Sequence, residues 1–254
     1  MLEHRVIPCL LLQNGGLVKT KQFKNPKYVG DPINAIRIFN EKEVDELMVL
    51  DIIASKQGRE PDYSGIKQFA SECFMPLCYG GGIRTIEQAG RIFSLGVEKI
   101  CLQTAALSNP QLVQDITSKF GSQSVVVSLD IKRDWLGRYQ LYQTSKSKII
   151  DSPWEAFLQT AIRMGAGEIL LNAVDRDGML QGPDIELIQK ATKNLGVPLI
   201  AVGGVGKLDD IKMAVNAGAS AVAAGSFFVF HGPHRAVLIT YPRYQELEAL
   251  FQNL

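Results

Sequence analysis

Apolar residues along the 254-residue chain follow two alternating rhythms. Short runs rich in Val, Ile and Leu predict strands at Arg5–Leu11, Glu46–Asp51, Pro76–Tyr79, Lys99–Gln103, Ser124–Asp130, Glu168–Asn172, Pro198–Val202 and Ala219–Ala223. Between them, apolar positions recur near every 3.6 residues and predict helices at Asp31–Phe39, Asp62–Glu72, Thr85–Leu95, Pro110–Phe120, Trp154–Met164, Asp184–Asn194, Lys207–Ala217 and Tyr241–Leu250. Several begin on Asp, Thr or Pro, residues that suit a helix start. The stretch Arg133–Ile150 is too polar and interrupted for a helix and predicts a hairpin-like insertion after the fifth strand. Repeated βα units of this kind surround a parallel sheet.

An internal repeat selects among parallel-sheet folds. Pro76-Leu77-Cys78-Tyr79-Gly80-Gly81-Gly82-Ile83 matches Pro198-Leu199-Ile200-Ala201-Val202-Gly203-Gly204-Val205, an offset of 122 positions. The same offset lays Glu46 on Glu168, Pro61-Asp62 on Pro183-Asp184, Gly96 on Gly218 and Thr104 on Ser226. One duplication spanning half the chain predicts two four-unit halves closing a (β/α)8 TIM barrel. An open doubly wound sheet, the alternative, has no reason to carry this symmetry. With no linker or low-complexity segment, residues 1–254 are expected to form a single barrel domain.

The charge balance, 27 Lys plus Arg against 26 Asp plus Glu, leaves a net charge of +1 and no general field to attract nucleic acid or an acidic membrane. The opening Met1-Leu2-Glu3-His4-Arg5 carries charges before any apolar run, and no run approaches the ~18 apolar residues of a spanning helix. A cytoplasmic protein without membrane or nucleic-acid partners is expected. The four cysteines, Cys9, Cys73, Cys78 and Cys101, lack metal-ligand spacing and read as buried spectators, so no metal site and no cofactor is expected.

Candidate chemistry gathers at strand ends. Gly80-Gly81-Gly82 and Gly203-Gly204 each separate a strand from a helix start, where bare N–H groups can approach an anion. Either turn alone could be a tight connection without a ligand. Two at symmetric positions, with Thr104 and Gly225-Ser226 ending the strands that follow, point to a substrate with two phosphates, one per half. Asp130 closes the run Val125–Leu129 and is placed to act as a general acid or base at the barrel rim, or else to cap or pair with Lys132 or Arg133. Asp51 ends the second strand and reads as a loop-orienting group. Asp175-Arg176-Asp177-Gly178 reads as a polar turn with Gly178 near the ligand. Arg5, Glu46, Lys99 and Glu168 start the first, second, fourth and sixth strands. They are either a solvated rim or a ring of ion pairs closing the N-terminal mouth.

The runs Arg5–Leu10, Gly81-Gly82-Ile83, Thr104-Ala105-Ala106, Gly121–Val127, Asp175–Gly178 and Gly203-Gly204 together resemble the HisF family, the cyclase subunits of imidazole glycerol phosphate synthase. The resemblance covers roughly residues 1–230. It is closer to HisF than to the sister isomerase, because of the arginine-initiated first strand and the Asp-Arg-Asp-Gly turn. It implies a HisH-like glutaminase docked on the N-terminal mouth and ammonia passing through the barrel to a phosphorylated substrate at the other face. It places the ammonia gate on Arg5, Glu46, Lys99 and Glu168. Phosphate contacts fall on Gly82, Thr104, Gly178, Gly204 and Ser226, with Lys19 on a mobile loop, and one catalytic aspartate falls on Asp130.

The second catalytic aspartate of the pattern is Leu11 here, which can neither give nor take a proton. Gln103 stands for the usual asparagine beside the first phosphate site, and His231–Arg235 and Tyr241–Tyr244 also depart. These departures resemble HisF-like proteins linked to glycosyl amidation, in which ammonia is passed to a third, ATP-dependent enzyme that makes an acetamidino sugar. Three readings stay open: an ammonia-conducting subunit for nucleotide-sugar amidation, an authentic cyclase/lyase of histidine biosynthesis, and a non-catalytic scaffold that activates a glutaminase. Leu11 could also be a core residue whose role another carboxylate has taken.

Overall fold

The computed structural model describes residues 4–232 and 234–252. Met1-Leu2-Glu3 of the charged start and Pro233 of the divergent C-terminal stretch lie outside the described residues. Eight parallel strands, β1 (Arg5–Gln13), β2 (Leu47–Asp51), β3 (Leu77–Gly80), β4 (Lys99–Leu102), β5 (Val125–Arg133), β6 (Glu168–Ala173), β7 (Leu199–Val202) and β8 (Ala221–Ala224), pair in chain order. The ladder of β1 with β8 closes the sheet into a barrel. Both faces of every strand are covered, which is why the strands read as near-continuous apolar runs.

Among the described residues, ten α-helices connect and cap these strands: α1 (Pro32–Glu41), α2 (Tyr63–Glu72), α3 (Ile86–Ser94), α4 (Thr104–Ser108), α5 (Gln111–Phe120), α6 (Trp154–Arg163), α7 (Ile185–Thr192), α8 (Leu208–Asn216), α9 (Ser226–Val229) and α10 (Tyr244–Phe251). No described helix is long and apolar enough to cross a membrane. Alternation along the strands splits the apolar residues into two cores. Outward side chains meet the helices, while Ile7, Cys9, Met48, Cys78, Cys101, Val126, Leu170, Ile200, Ala221 and Ala223 fill the barrel itself. Cys9, Cys78 and Cys101 are therefore lumen residues, and all four thiols are free.

The duplication is visible in hydrogen bonds. Leu47 N–H donates to Pro76 O at 2.9 Å, and Ile169 N–H donates to Pro198 O at 3.0 Å. Asp62 caps α2 by accepting from Gly65 N–H, as Asp184 caps α7 by accepting from Leu187 N–H. Gly81 and Gly203, at φ +121° and +106°, each face the carbonyl that ends the strand before. A Cβ would stand 2.5 Å from Asp51 O in one half and 2.8 Å from Ala173 O in the other, so glycine is required at both.

Three features depart from the sequence reading. A hairpin, Gly16–Lys21 paired with Lys24–Gly30, rises from the end of β1, which itself runs on to Gln13. Its first turn, Asn14-Gly15, has both φ positive and is a hairpin signal, but Gln22-Phe23 adopts the same left-handed turn with residues that do not announce it. The short helices α4 and α9 are too brief for a periodic signal. α10 starts at Tyr244, because Pro242 breaks the run and Arg243 takes the cap position, with Glu246 accepting its N–H. The expected insertion is present: Tyr139–Gln143 pairs antiparallel with the end of β5, then with Lys148-Ile149.

The symmetry breaks at Asp184, which accepts from the Tyr139 hydroxyl at 2.8 Å and pairs with Arg133 at 3.1 Å besides capping its helix. Removing the Asp62 cap as Asp62→Ala is expected to cost about 1 kcal/mol. Asp184→Ala, which also removes the buried acceptor of Tyr139 and Arg133 and leaves them only the exposed Glu186, is expected to cost about 2–3 kcal/mol. Urea unfolding of the two variants measures the difference directly.

Candidate active site and mouth of the barrel

At the C-terminal end of the strands a cavity of about 320 Å³ opens, and it draws on every barrel strand or the loop following it. The two halves contribute matching walls. Gly81, Gly82, Thr104 and Ala105 line one side, and Gly203, Gly204, Gly225 and Ser226 line the other. Gln103 and Gly225 share an unusual backbone, φ −125° and −109° with ψ near −70°, that turns the starts of α4 and α9 toward the cavity. First-turn N–H groups of a helix have no partner within it, so each wall presents donors and a positive dipole end. Gly82 N–H also donates to Ser55 Oγ at 3.2 Å, which adds a hydroxyl to the first wall.

Lys19 differs from its expected setting. It lies in the strand Gly16–Lys21, buried, with Nζ donating to Cys9 O at 2.6 Å. Burial lowers its pKa, while the nearby Cys9 and Asp177 pull the other way. The ammonium packs so closely on Gly225 that a Cβ there would stand 2.5 Å from Nζ, which puts Lys19 at the second wall. The hairpin is fixed to the Asp175–Gly178 turn: Thr20 Oγ1 donates to Asp177 Oδ2 at 2.6 Å and Phe23 N–H donates to the same oxygen at 3.2 Å. Gly178, at φ +65°, faces Thr20 O with no room for a side chain. Asp177 and Gly178 reach the cavity, whereas Asp175 accepts from Arg133 N–H at 2.7 Å and Arg176 donates to Gln181 O at 3.3 Å.

Asp130 is buried at the end of β5 and faces the cavity. It is not paired with Lys132 or Arg133. Its Oδ2 accepts from Gln103 Nε2 at 2.6 Å and from the Thr144 hydroxyl, and Oδ1 accepts from Ser128 Oγ at 3.4 Å. Burial raises its pKa to about 6, against the pull of these hydrogen bonds, which suits an acid or base working near neutral pH. Gln103 also donates to Tyr142 O at 3.1 Å, so the insertion after β5 and the start of α4 hold this carboxyl together. Thr144 escaped the sequence reading because nothing in the polar stretch distinguished it from its neighbours.

Leu11 enters the same cavity from β1, packed beside Leu50 and Val202 at the top of the lumen. The other described carboxylates of the lining are engaged elsewhere: Asp51 accepts from Ile53 and Ala54 N–H and orients its loop, and Asp177 holds the hairpin.

At the opposite mouth, four charges from β1, β4, β6 and the residue before β2 form a closed ring of alternating sign. Arg5 reaches Glu46 at 2.5 Å and Glu168 at 3.0 Å, and Lys99 reaches the same two at 2.9 and 2.8 Å. Glu46 is 2% exposed and Glu168 12%, so these are not solvated rim charges. Burial works against the cations, but the glutamates outweigh it and hold both Arg5 and Lys99 above their ordinary pKa. Above the ring lies the narrow apolar lumen, and above that the cavity.

The histidine biosynthesis protein family matches residues 5–234. The chain belongs to the HisF family. A Pseudomonas aeruginosa protein provisionally named imidazole glycerol phosphate synthase subunit hisF2 is 54% identical over 250 residues, covering 98% of this chain and 99% of the relative. A Leptospira interrogans protein with the provisional name HisF of the same synthase is 51% identical over 253 residues, covering 99% and 100%. The imidazole glycerol phosphate synthase subunit HisF of Exiguobacterium sibiricum is 39% identical over 228 residues, covering 90% and 91%. Within the HisF family, then, this chain combines a buried Asp130 with Leu11 where the resemblance expects a second aspartate.

The folded Asp130 carboxyl keeps its proton to about pH 6, whereas an aspartate in the unfolded chain, with the ordinary value of 3.8, loses it earlier. The native state therefore binds more protons across this window, and stability falls as pH rises from about 4 to about 6. Asp130→Asn is expected to raise the unfolding free energy by about 1–3 kcal/mol at pH 7.5 and to lose that advantage below about pH 4. Urea unfolding at the two pH values checks it.

Proposed function

We propose that this chain is the synthase-type subunit of a glutamine amidotransferase. A HisH-like glutaminase docks on the N-terminal mouth, the ring of Arg5, Glu46, Lys99 and Glu168 gates the entry of ammonia, and the lumen carries it to the upper cavity. Ammonia is small and neutral, so an apolar bore sealed by ion pairs passes it while excluding ammonium and other ions, whose desolvation is costly. Glu168, Leu170 and Asn172 alternate along β6 from ring to cavity, a path of about 13 Å at the rise of a strand. The walls at Gly82 and Thr104, and at Gly178, Gly204, Gly225 and Ser226 with Lys19, take the phosphates of the substrate.

The acceptor we favour is a nucleotide sugar of a surface polysaccharide or flagellin glycan, amidated to an acetamidino sugar with a third, ATP-dependent enzyme. Leu11 carries this reading: the end of β1 holds no carboxylate, while Asp130 and the ring of four charges are in place. The phosphate-binding walls and the pKa of Asp130, near 6, favour a second reading, in which the chain retains imidazole glycerol phosphate synthase cyclisation with Asp130 alone as its acid–base group.

With free ammonium salt the chain is expected to show no measurable cyclase turnover, and Leu11→Asp is expected to raise it by roughly two to four orders of magnitude, the usual worth of an acid–base group. A native rate matching an authentic cyclase would overturn the amidation reading. In the complex with its glutaminase, Lys99→Glu or Glu46→Lys is expected to uncouple glutamine hydrolysis from ammonia use without unfolding the barrel. Coupled turnover surviving both changes would remove the gate.

A further inference from the structure

Beside the ring, the backbone of one β1 residue is held by side chains on the edge that faces β2, where the ladder between those two strands has not yet begun. The β1–β2 ladder opens at Cys9 against Met48. Three residues earlier, Val6 N–H donates to Asp45 Oδ2 at 3.1 Å, and Val6 O accepts from the Tyr241 hydroxyl at 2.8 Å. The Asp45 carboxyl also lies against that hydroxyl, and the Tyr241 ring packs on Phe228 with centroids 5.2 Å apart. Both ends of this clamp are chain neighbours of gate residues, Val6 of Arg5 and Asp45 of Glu46.

The clamp therefore ties together the two strand starts that carry the Arg5–Glu46 pair. Arg5 is the most exposed member of the ring, at 29%, and its guanidinium must span two carboxylates from different strands. A side chain can hold such a bidentate position only if its own backbone is fixed. At Arg5 the pairing with β8 fixes one edge of the strand, and the other edge has Asp45 and Tyr241 in place of a ladder. Tyr241 lies in the segment that departs from the histidine-pathway pattern and takes no part in the upper cavity.

We propose that Asp45 and Tyr241 are positioning residues of the gate, pinning the Val6 backbone so that Arg5 stays across Glu46 and Glu168. The proposal rests on the ring acting as a gate. The lumen thiols allow both to be tested on the chain alone. Cys78 is the register partner of Lys99 on the lumen side, below the upper cavity, whereas Cys9 and Cys101 line that cavity. Methylmercury chloride, a small neutral thiol reagent, reaches Cys78 from the N-terminal mouth when the ring parts, and peptide mass spectrometry reads the rate at each cysteine.

Tyr241→Phe, which keeps the ring on Phe228, and Asp45→Ala are each expected to speed Cys78 modification about fivefold, the population shift given by loss of one ordinary hydrogen bond. Rates at Cys9 and Cys101 stay as they were. Asp45→Asn keeps an acceptor for Val6 N–H and is expected to retain the slow rate. Lys99→Met, which breaks the ring itself, is the control. If that control leaves Cys78 slow, the ring is no gate and both ideas fail. If the control speeds Cys78 but Tyr241→Phe and Asp45→Ala do not, the clamp alone fails. If all three thiols speed up together while the unfolding midpoint drops, the two residues merely stabilise the fold and the proposal falls.

Discussion

Closure of the parallel ladder between β8 and β1 is the constraint from which the rest of the molecule follows. A closed sheet has an inside, and strand geometry sends alternate side chains into it. Along β6 the inward positions are Glu168, Leu170 and Asn172, and along β5 they include Val126, Ser128 and Asp130. One strand thus carries a charge at one mouth, an apolar wall in the middle and a polar group at the other. The barrel is filled by small and medium side chains, with Ala221 and Ala223 on β8 and thiols on β1, β3 and β4. Its two ends are chemically unlike, and each is assembled from strands far apart in sequence.

The two ends use buried charge in opposite ways. At the ring every charge has two partners of opposite sign, so the desolvation of Glu46 is offset by Arg5 and Lys99, and the cost of burial falls on neither member alone. At the cavity Asp130 has hydrogen-bond donors but no cation, so burial raises its pKa instead. A paired charge resists titration and holds a shape. An unpaired one sits near the point of exchanging its proton. Burial therefore accompanies a fixed ring of ion pairs at one mouth and a carboxyl with a raised pKa at the other.

Duplication supplied the framework, and its local failures made the two halves different. Caps, strand-start hydrogen bonds and glycine turns recur faithfully, because each answers a backbone need that any βα unit has. The halves part where side chains meet the cavity. Gln103 in one half, which reaches Asp130, corresponds to Gly225 in the other, against which Lys19 packs. Hairpins of different length follow β1 and β5, and they cover Leu11 and Asp130 with different partners.

Local pattern by itself determined the eight βα units, their order, the duplication and the positions of the glycine turns. These depend on periodicity and on backbone conformations open only to glycine, and both are written residue by residue. The strand-end location of Asp130 and the strand-start location of the four ring charges were legible for the same reason. Only the tertiary structure decided whether Arg5, Glu46, Lys99 and Glu168 were a solvated rim or a closed ring. It also decided that Asp130 is held by Gln103 and Thr144, that Lys19 lies in a strand against Gly225, and that Val6 is pinned by Asp45 and Tyr241. Each of those facts is a meeting of groups tens to hundreds of residues apart. Sequence spacing carries no distance between such groups until the sheet closes and sets one strand beside another.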